Sequence, residues 1–242
     1  EQFNLADKAK VDDFFQKYRD IAAIIHFAAN KAVGESVEKP LMYYHNNLSS
    51  LINLLQVMPS AGVSNLVFSS SCTVYGQPDQ LPVDESAPVQ KPESPYGNTK
   101  KVSEEIIKDT VRAEPSIKAI SLRYFNPIGA HETALIGELP RGVPNNLVPF
   151  ITQTAAGLRP KLKVFGDDYS TPDGSAIRDY IHVVDLAKAH VIAVKRLLES
   201  KNKERYEFFN LGTGNGFSVL EVIRSFEKVT GLQLNYEIVD RR

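Results

Sequence analysis

Short apolar segments alternate with amphipathic helical segments along most of this 242-residue chain. A helical pattern from Asp7 to Tyr18 precedes a strand pattern from Ile21 to Phe27, and a longer helical pattern from Pro40 to Met58 precedes a strand pattern from Asn65 to Ser70. This alternation is typical of α/β proteins, in which helices connect parallel strands. We therefore predict an α/β fold with a doubly wound, mainly parallel sheet.

The alternation is interrupted after a helical pattern from Tyr96 to Ala113 and a strand pattern from Ala119 to Tyr124. The interrupting residues are ones that break helices and strands: Pro127, Gly129, Gly137, Pro140, Gly142 and Pro144. Beyond them the patterns resume, with a helix from Leu147 to Gly157, a strand from Leu162 to Phe165 and a helix from Val184 to about Leu198. We predict a first domain over residues 1–126 and a smaller α/β domain, intertwined with it, over residues 127–242.

The spacing of Tyr96 and Lys100 predicts chemistry. Residues four apart share one helix face, so the ammonium can lie near the phenol and favour its ionised form. A tyrosine tuned in this way can take a proton from a substrate hydroxyl while a nicotinamide takes the hydride, and a serine can bind the oxygen that develops. Such serines, Ser69-Ser70-Ser71, follow the preceding strand. A Tyr-x-x-x-Lys pair alone is also common as a solvated helix pair, so the strand and the serines support the catalytic interpretation.

Two segments suggest a phosphate-binding loop. Gly212-Thr213-Gly214-Asn215-Gly216 is followed by Phe217, where the dinucleotide fingerprint G-x-G-x-x-G needs its third glycine, and Ser218 to Glu221 forms a capping box, so we interpret the segment as a structural turn. Phe27-Ala28-Ala29 with Lys31 ends a strand, where small residues let a dinucleotide approach, although a plain buried strand end fits equally.

Polar residues of the second half leave alternatives open. Arg178 and Arg242 suit a diphosphate or surface ion pairs, and His182 is interpreted as structural. Asn126 and the pair Asn145-Asn146 could bind sugar hydroxyls, and for Asn145 we expect a helix-capping role instead.

Bulk properties narrow the function classes. The net charge of -1, without basic clusters, argues against nucleic-acid and membrane-surface partners and favours small molecules. The single cysteine, Cys72, excludes an internal disulfide and a cysteine-based metal cluster, so we expect a cytoplasmic protein without a metal. No apolar segment approaches the roughly 20 residues that span a bilayer.

Seven segments, taken in order, resemble the UDP-glucose 4-epimerases of the extended short-chain dehydrogenase/reductase family. They are His26-Phe27-Ala28-Ala29, Lys31 to Ser36, Ser69-Ser70-Ser71 with Thr73 to Gly76, Ser94-Pro95-Tyr96-Gly97, Arg123 to Pro127, Pro144 to Leu147 and Arg178 to His182. The resemblance implies a Rossmann-like fold, NAD as cofactor and the interconversion of UDP-glucose and UDP-galactose through a 4-keto intermediate. It also implies a homodimer that packs the helices at Pro40 to Met58 and Tyr96 to Ala113.

The resemblance assigns residues to roles. Tyr96 would be the base, Lys100 its electrostatic partner and ribose contact, and Ser71 the hydroxyl that binds the reacting oxygen. The further cofactor contacts would be Phe27, Ala28, Lys31, Asn46 and Phe125. The UDP-hexose contacts would be Asn126, Asn146, Phe165, Arg178 and Arg242.

The chain also departs from the family pattern. The glycine-rich strand-turn-helix that normally begins the nucleotide-binding sheet and about fifty carboxy-terminal residues do not appear, so we expect an incomplete, fragment-like sheet. Asn4-Leu5, Asn30 and Cys72 also differ from the usual residues. Two alternatives follow: a non-catalytic nucleotide-sugar-binding protein, and a 4,6-dehydratase, which would need an Asp-Glu pair where Cys72 and Thr73 stand.

Overall fold

The computed structural model describes residues 1–140 and 142–241. The chain divides into two compact units. The first unit comprises residues 1–124 and 187–211, and the second comprises residues 125–186 and 212–242.

The first unit is built on a four-stranded sheet in the order β1-β2-β3-β7, with all strands parallel. Its strands are β1 (Ile24–His26), β2 (Asn65–Ser69), β3 (Lys118–Tyr124) and β7 (Tyr206–Leu211). The helices are α1 (Lys8–Lys17), α2 (Val33–Glu38), α3 (Pro40–Val57) and α4 (Pro95–Ala113), and α6 (Val183–Leu198) lies partly in this unit. This arrangement confirms the predicted α/β fold with a parallel sheet.

Apolar burial on the central strands holds this sheet. Leu66 and Val67 of β2 and Ala119 and Ile120 of β3 are fully buried. Successive residues of a strand point to opposite faces, so both faces of these strands are covered. Leu66 and Ala119 join α3 and α4 in one apolar cluster, whereas Val67 and Ile120 pack with Leu197 of α6. Each fully buried aliphatic side chain contributes about 1.5–3 kcal/mol of burial free energy.

The second unit contains two smaller sheets. β4 (Asn126–Ile128) pairs in parallel with β6 (Ile177–His182), and β8 (Gly216–Ser218) pairs antiparallel with β6. β5 (Leu162–Phe165) and β9 (Tyr236–Val239) form a parallel pair.

Helices α5 (Leu147–Ala155) and α7 (Val219–Thr230) supply the apolar cluster of this unit together with β5. The predicted capping box begins α7, since Ser218 Oγ accepts from the Glu221 N–H at 3.0 Å and Glu221 Oε2 accepts from the Ser218 N–H at 2.7 Å.

The structure differs from the predicted division in two segments. Residues 125–126, predicted in the first domain, belong to the second unit. Residues 187–211, predicted in the second domain, belong to the first unit because β7 extends its sheet beside β3. The short elements α2, β4, β6, β8 and β9 and a 3₁₀ helix at Cys72–Tyr75 were not predicted.

Candidate active site

Three consecutive serines at the end of β2 bind three different partners. Ser69 Oγ donates to the hydroxyl of Tyr124 at 2.9 Å, and Ser70 Oγ donates to Glu104 Oε1 at 2.6 Å. Ser71 is the N-cap of the 3₁₀ helix that follows. All three serines are buried. The carboxyl end of β2 is therefore fixed to β3, to α4 and to the next helical turn.

Tyr96 lies in the first turn of α4 because of the residues around it. Ser94 Oγ accepts from the Gly97 N–H at 3.1 Å and caps the helix, and Pro95 occupies its first position, where its missing N–H costs nothing. A Cβ on Gly97 would stand 2.9 Å from the Pro92 side chain, so close packing also fixes this turn.

Lys100 lies one turn after Tyr96 on the same helix face, as their spacing predicts. Its ammonium donates to the Ser69 carbonyl oxygen at 2.7 Å. The nitrogen stands 4.9 Å from the centroid of the Phe68 ring and 5.9 Å from that of Tyr96. Lys100 is only 4 % exposed. The lysine thus ties α4 to the same end of β2 that carries Ser71.

The ionisation of Tyr96 differs from the sequence prediction. Burial raises the pKa of Tyr96 above its ordinary value, and the neighbouring Tyr124 adds to this increase, while a hydrogen bond with Ser71 acts in the opposite direction. Burial also lowers the pKa of Lys100 to about 8, and the charge of Glu104 opposes that shift. The predicted shift of Tyr96 toward its ionised form is therefore not found, because desolvation dominates at both groups.

A buried ion pair lies beside the serines. Arg123 Nη2 donates to Glu104 Oε2 at 2.6 Å, and the two side chains are 5 % and 8 % exposed. Arg123 Nη1 also donates to the Tyr75 hydroxyl at 2.9 Å, which in turn donates to Asn210 Oδ1 at 2.7 Å. Sequence reasoning missed this network because its members are far apart along the chain.

The segment after β1 contains the proposed cofactor contacts Phe27, Ala28 and Lys31, and all three are exposed. Asn47 of α3 holds this segment: its Oδ1 accepts from the Asn30 N–H at 2.8 Å and its Nδ2 donates to the Asn30 carbonyl at 3.0 Å. Sequence reasoning missed Asn47. The resemblance assigns a cofactor contact to the neighbouring Asn46, and two adjacent asparagines within a helix are the only sequence signal that marks Asn47.

Asn47 also reaches the catalytic helix. Its Nδ2 donates to Thr99 Oγ1 at 3.0 Å, and Thr99 Oγ1 donates to the Tyr96 carbonyl at 2.7 Å. Asn46, which is partly buried, donates to Asn47 Oδ1 at 3.1 Å. The first turn of α4 and the segment after β1 are thus joined through one side chain.

The second unit carries the other predicted contacts. Asn126 begins β4, and Phe125 precedes it. Phe165 ends β5 and is partly buried. Arg178 is exposed on β6, and its Nη1 donates to the Ile177 carbonyl at 2.6 Å.

The helix N-cap at α5 is Asn146, so the capping role predicted for Asn145 is wrong. Asn146 Nδ2 donates to Glu138 Oε1 at 2.7 Å. The helix itself begins at Leu147, as the sequence pattern predicts.

Asp179 holds the glycine-rich turn. Its carboxylate accepts from the N–H of Thr213 at 2.9 Å, from the N–H of Gly214 at 2.9 Å and from Thr213 Oγ1 at 2.8 Å. A Cβ on Gly212 would stand 2.5 Å from Asp179 Oδ2, so glycine is needed at this approach. The turn has an internal structural partner, in agreement with its interpretation as a structural loop.

The structure divides the predicted site residues between the units. The first unit holds Ser71, Tyr96, Lys100, Phe27, Ala28, Lys31 and Asn46. The second holds Phe125, Asn126, Asn146, Phe165 and Arg178. Arg242 lies outside the described residues. Within residues 1–140 and 142–241, no group of three or more His, Cys, Asp or Glu side chains is arranged to hold a metal ion. In that same part of the chain, no helix combines the length and apolar character of a membrane span.

Comparisons with known proteins show the family of this chain. The model of the NAD dependent epimerase/dehydratase family matches residues 1–212. The UDP-glucose 4-epimerase of Mus musculus is 52 % identical over all 242 residues, which cover 69 % of that relative. The UDP-glucose 4-epimerase of Pasteurella multocida is 49 % identical over 241 residues, which cover 70 % of its length.

Solved structures of UDP-glucose 4-epimerases also match this chain. The UDP-glucose 4-epimerase of Bifidobacterium longum in complex with NAD⁺ and UDP matches with a TM-score of 0.94 and 48 % identity, covering all of this chain and 71 % of that one. The enzyme of Stenotrophomonas maltophila, with bound NAD and formylated UDP-arabinopyranose, matches with a TM-score of 0.93 and 49 % identity, covering all of this chain and 70 % of that one. The chain belongs to the NAD-dependent epimerase/dehydratase family and, within it, to the UDP-glucose 4-epimerases.

Proposed function

We propose that this protein is an NAD-dependent isomerase that interconverts UDP-glucose and UDP-galactose by inverting C4 of the sugar. The observation that carries the proposal is the grouping of Ser71, Tyr96 and Lys100 at the end of β2, in a chain 52 % identical to a UDP-glucose 4-epimerase. Oxidation of a secondary alcohol needs a group that removes the hydroxyl proton and a group that binds the oxygen that becomes a carbonyl. Tyr96 and Ser71 supply these two functions.

The described residues fit NAD. The carboxyl ends of β1 and β2 are neighbours because His26 pairs with Phe68 in a parallel register. In open parallel sheets, ligands lie outside the carboxyl ends of the strands. At this edge Ala28 offers a small exposed side chain and Phe27 an aromatic face that is 53 % exposed, so a flat ring and a sugar can lie against them. When bound, NAD accepts the hydride from C4 and returns it.

The residues of the chain handle the proton. Tyr96 takes the proton of the 4-hydroxyl and later gives it back to the same oxygen, while Ser71 donates a hydrogen bond to that oxygen as it becomes a carbonyl. Inversion requires the 4-keto sugar to present its opposite face before the hydride returns. Lys100, held at the Ser69 carbonyl, places a positive charge near the phenol and stabilises the phenolate that forms during proton transfer.

We assign the remaining contacts by family membership. Lys100, Phe27, Ala28, Lys31, Asn46 and Phe125 contact NAD, and Asn126, Asn146, Phe165, Arg178 and Arg242 contact the UDP-hexose. Arginine forks suit the diphosphate because a guanidinium can donate two parallel hydrogen bonds to phosphate oxygens.

The comparisons favour this function over the two alternatives. A 4,6-dehydratase removes water and needs a carboxylic acid pair beside the serine, where this chain has Cys72 and Thr73. A binding protein without activity would not need Ser71, Tyr96 and Lys100 together.

A coupled assay tests the proposal. Purified protein with NAD and UDP-galactose should form UDP-glucose, detected by a UDP-glucose-specific dehydrogenase. The Tyr96→Phe variant should bind UDP with unchanged affinity and lose turnover. Binding of UDP without any turnover in the parent protein would instead favour the binding-protein alternative.

We also propose a homodimer formed through α3 and α4, and a cytoplasmic location. Three large apolar side chains of α3 support the dimer, since Leu41, Met42 and Ile52 are 81 %, 40 % and 37 % exposed. Such a surface is expected at an interface between subunits. Sedimentation of the parent and of Leu41→Glu tests it, because the charge should shift the protein toward monomer. A single cysteine, unable to form an internal disulfide, suits a reducing compartment.

A further inference from the structure

Glu104 is buried one helical turn after Lys100. Its hydrogen bonds come from residues other than Tyr96 and Ser71, which perform the proposed chemistry directly. It is 6 % exposed and accepts hydrogen bonds from Ser70 Oγ at 2.6 Å and from Arg123 Nε at 3.0 Å. Burial of a carboxylate is expensive, and the cost is offset only where partners satisfy its oxygens. Glu104 is thus a fixed negative charge beside the site.

We propose that Glu104 is a positioning residue of the reaction, which fixes Ser71 through its hydrogen bond with Ser70 and holds Lys100 through its charge. The proposal rests on the function assigned above to Ser71 and Lys100.

The first part of the proposal, that Glu104 fixes the position of Ser71, is called the positional half and follows from chain geometry. Ser70 precedes Ser71 directly, and its hydroxyl is tied to a helix rather than to the sheet. Ser69, on the other side, is tied to Tyr124 and to the Lys100 ammonium. The Ser70–Glu104 bond is therefore a second link, beside the Lys100–Ser69 bond, between α4, which carries Tyr96, and the chain that carries Ser71.

The second part, that the charge of Glu104 holds Lys100, is the electrostatic half and follows from helix spacing. Residues four apart lie on the same helix face, so the Lys100 ammonium and the Glu104 carboxylate attract each other across one turn of α4. Burial lowers the pKa of Lys100 to about 8, and Glu104 acts against that decrease. At neutral pH the ammonium form therefore depends on a carboxylate that touches no ligand.

Other ionisable groups surround this pair. They are Tyr96 on α4, His26 on β1, Arg123 and Tyr124 on β3, and Tyr206 on β7. Burial and the charge of Lys100 lower the pKa of His26 to about 4, so its ring is neutral where Lys100 titrates. Arg123 keeps its charge throughout. Glu104 is then the negative group whose removal should move the Lys100 titration.

The test is an NMR titration of the ligand-free protein labelled with ¹⁵N at the lysine Nζ. The Lys100→Arg variant identifies the Lys100 signal. We expect a midpoint near pH 8 in the parent, a midpoint lower by roughly one to two pH units in Glu104→Gln, and an unchanged midpoint in Ser70→Ala, which keeps the charge. An unchanged midpoint in folded Glu104→Gln would overturn the electrostatic half, whether or not the protein has the proposed activity.

Glu104→Gln leaves the Arg123 charge buried without its counterion and could unfold the protein. The double variant Glu104→Gln with Arg123→Met removes both charges at similar volume. It should still lower the Lys100 midpoint, though by less, because Glu104 is the nearer charge. A midpoint equal to that of the parent would contradict the proposal.

Kinetics test the positional half. Ser70→Ala should lower kcat severalfold at every pH without changing KM, because Ser70 touches no substrate in the proposed site. In the parent, kcat should fall at alkaline pH as Lys100 loses its proton. Glu104→Asp, which retains the charge, should leave this fall at the same pH. Glu104→Gln should move it to lower pH. Parent-like kcat in Ser70→Ala would overturn the positional half.

Discussion

The side-chain amide of Asn47 forms two hydrogen bonds with the backbone of Asn30, accepting from its N–H at 2.8 Å and donating to its carbonyl at 3.0 Å. The partners are 17 residues apart in sequence. A third bond from Asn47 to Thr99 joins the same side chain to the catalytic helix. One buried amide therefore fixes the proposed cofactor segment against the residues that carry the proposed chemistry.

Asn47→Leu should weaken both stability and activity. The substitution keeps the volume but leaves the partly buried backbone groups of Asn30 without their partner, which costs at most about 1–3 kcal/mol for each unsatisfied group. We expect a lower midpoint in urea and a KM for NAD that rises several times. Asn65→Leu is a control, because Asn65 also donates its side-chain amide to a backbone carbonyl, that of Ala22 at 3.0 Å, but lies at the amino end of β2, opposite the serines. An equal rise of KM in both variants would contradict the role of Asn47.

Tyr96→Phe should lower kcat by about 10²–10⁴-fold, the usual contribution of a general acid or base. Stability should change little or increase, because the substitution removes a buried hydroxyl whose pKa burial already raises. Steady-state kinetics on UDP-galactose measure the effect, and Tyr18→Phe, on an exposed tyrosine remote from the site, is the control. A kcat within a factor of about 3 of the parent would assign the proton transfer to another residue.

The parts of the fold that sequence predicted were those with long patterns. α3 and α4 each place apolar side chains against the sheet over several turns, and Pro95 and Ser94 mark the start of α4. β6 (Ile177–His182) mixes polar and apolar residues, and β9 (Tyr236–Val239) is only four residues long, so periodicity did not reveal either strand. The place of β7 beside β3 depends on pairing between residues more than eighty positions apart, which local patterns do not show.

In the candidate site, too, sequence predicted the local relations and missed those between residues far apart in the chain. Tyr96 and Lys100 were predictable because their relation is local, one turn of one helix. Asn47, Glu104 and Arg123 act on partners far along the chain, and an isolated asparagine or ion-pair residue carries no pattern that marks it. The raised pKa of Tyr96 was also beyond sequence, because desolvation depends on the packing around the phenol.

Acid should destabilise the protein through His26. Burial, and next the charge of Lys100, lower the pKa of His26 from 6.5 to about 4. The unfolded chain then binds a proton below pH 6.5 that the folded protein accepts only near pH 4, so the stabilisation is complete above pH 6.5 and is lost as the pH falls toward 4. The loss amounts to roughly 3 kcal/mol. His26→Phe removes the titrating group, and urea unfolding between pH 4 and 7 should show a flatter stability profile. Identical profiles for parent and variant would contradict this origin.

Asp179→Asn should loosen the glycine-rich turn. An amide nitrogen placed against the N–H groups of Thr213 and Gly214 cannot accept their hydrogen bonds, so we expect a loss of about 1–3 kcal/mol and a lower Tm. Hydrogen exchange at Thr213 and Gly214 should accelerate. Asp109→Asn, on an exposed position of α4, is the control and should match the parent. Unchanged exchange in Asp179→Asn would show that the turn is held by other contacts.

The central claim is that C4 of the sugar loses its hydrogen and regains the same one on the opposite face. UDP-galactose carrying deuterium at C4 tests it, with the product analysed by NMR and mass spectrometry in ordinary water. We predict UDP-glucose with the deuterium retained at C4, formed more slowly than from the undeuterated substrate. Deuterium lost to solvent, or found at another carbon of the product, would contradict the mechanism and the function assigned to Tyr96.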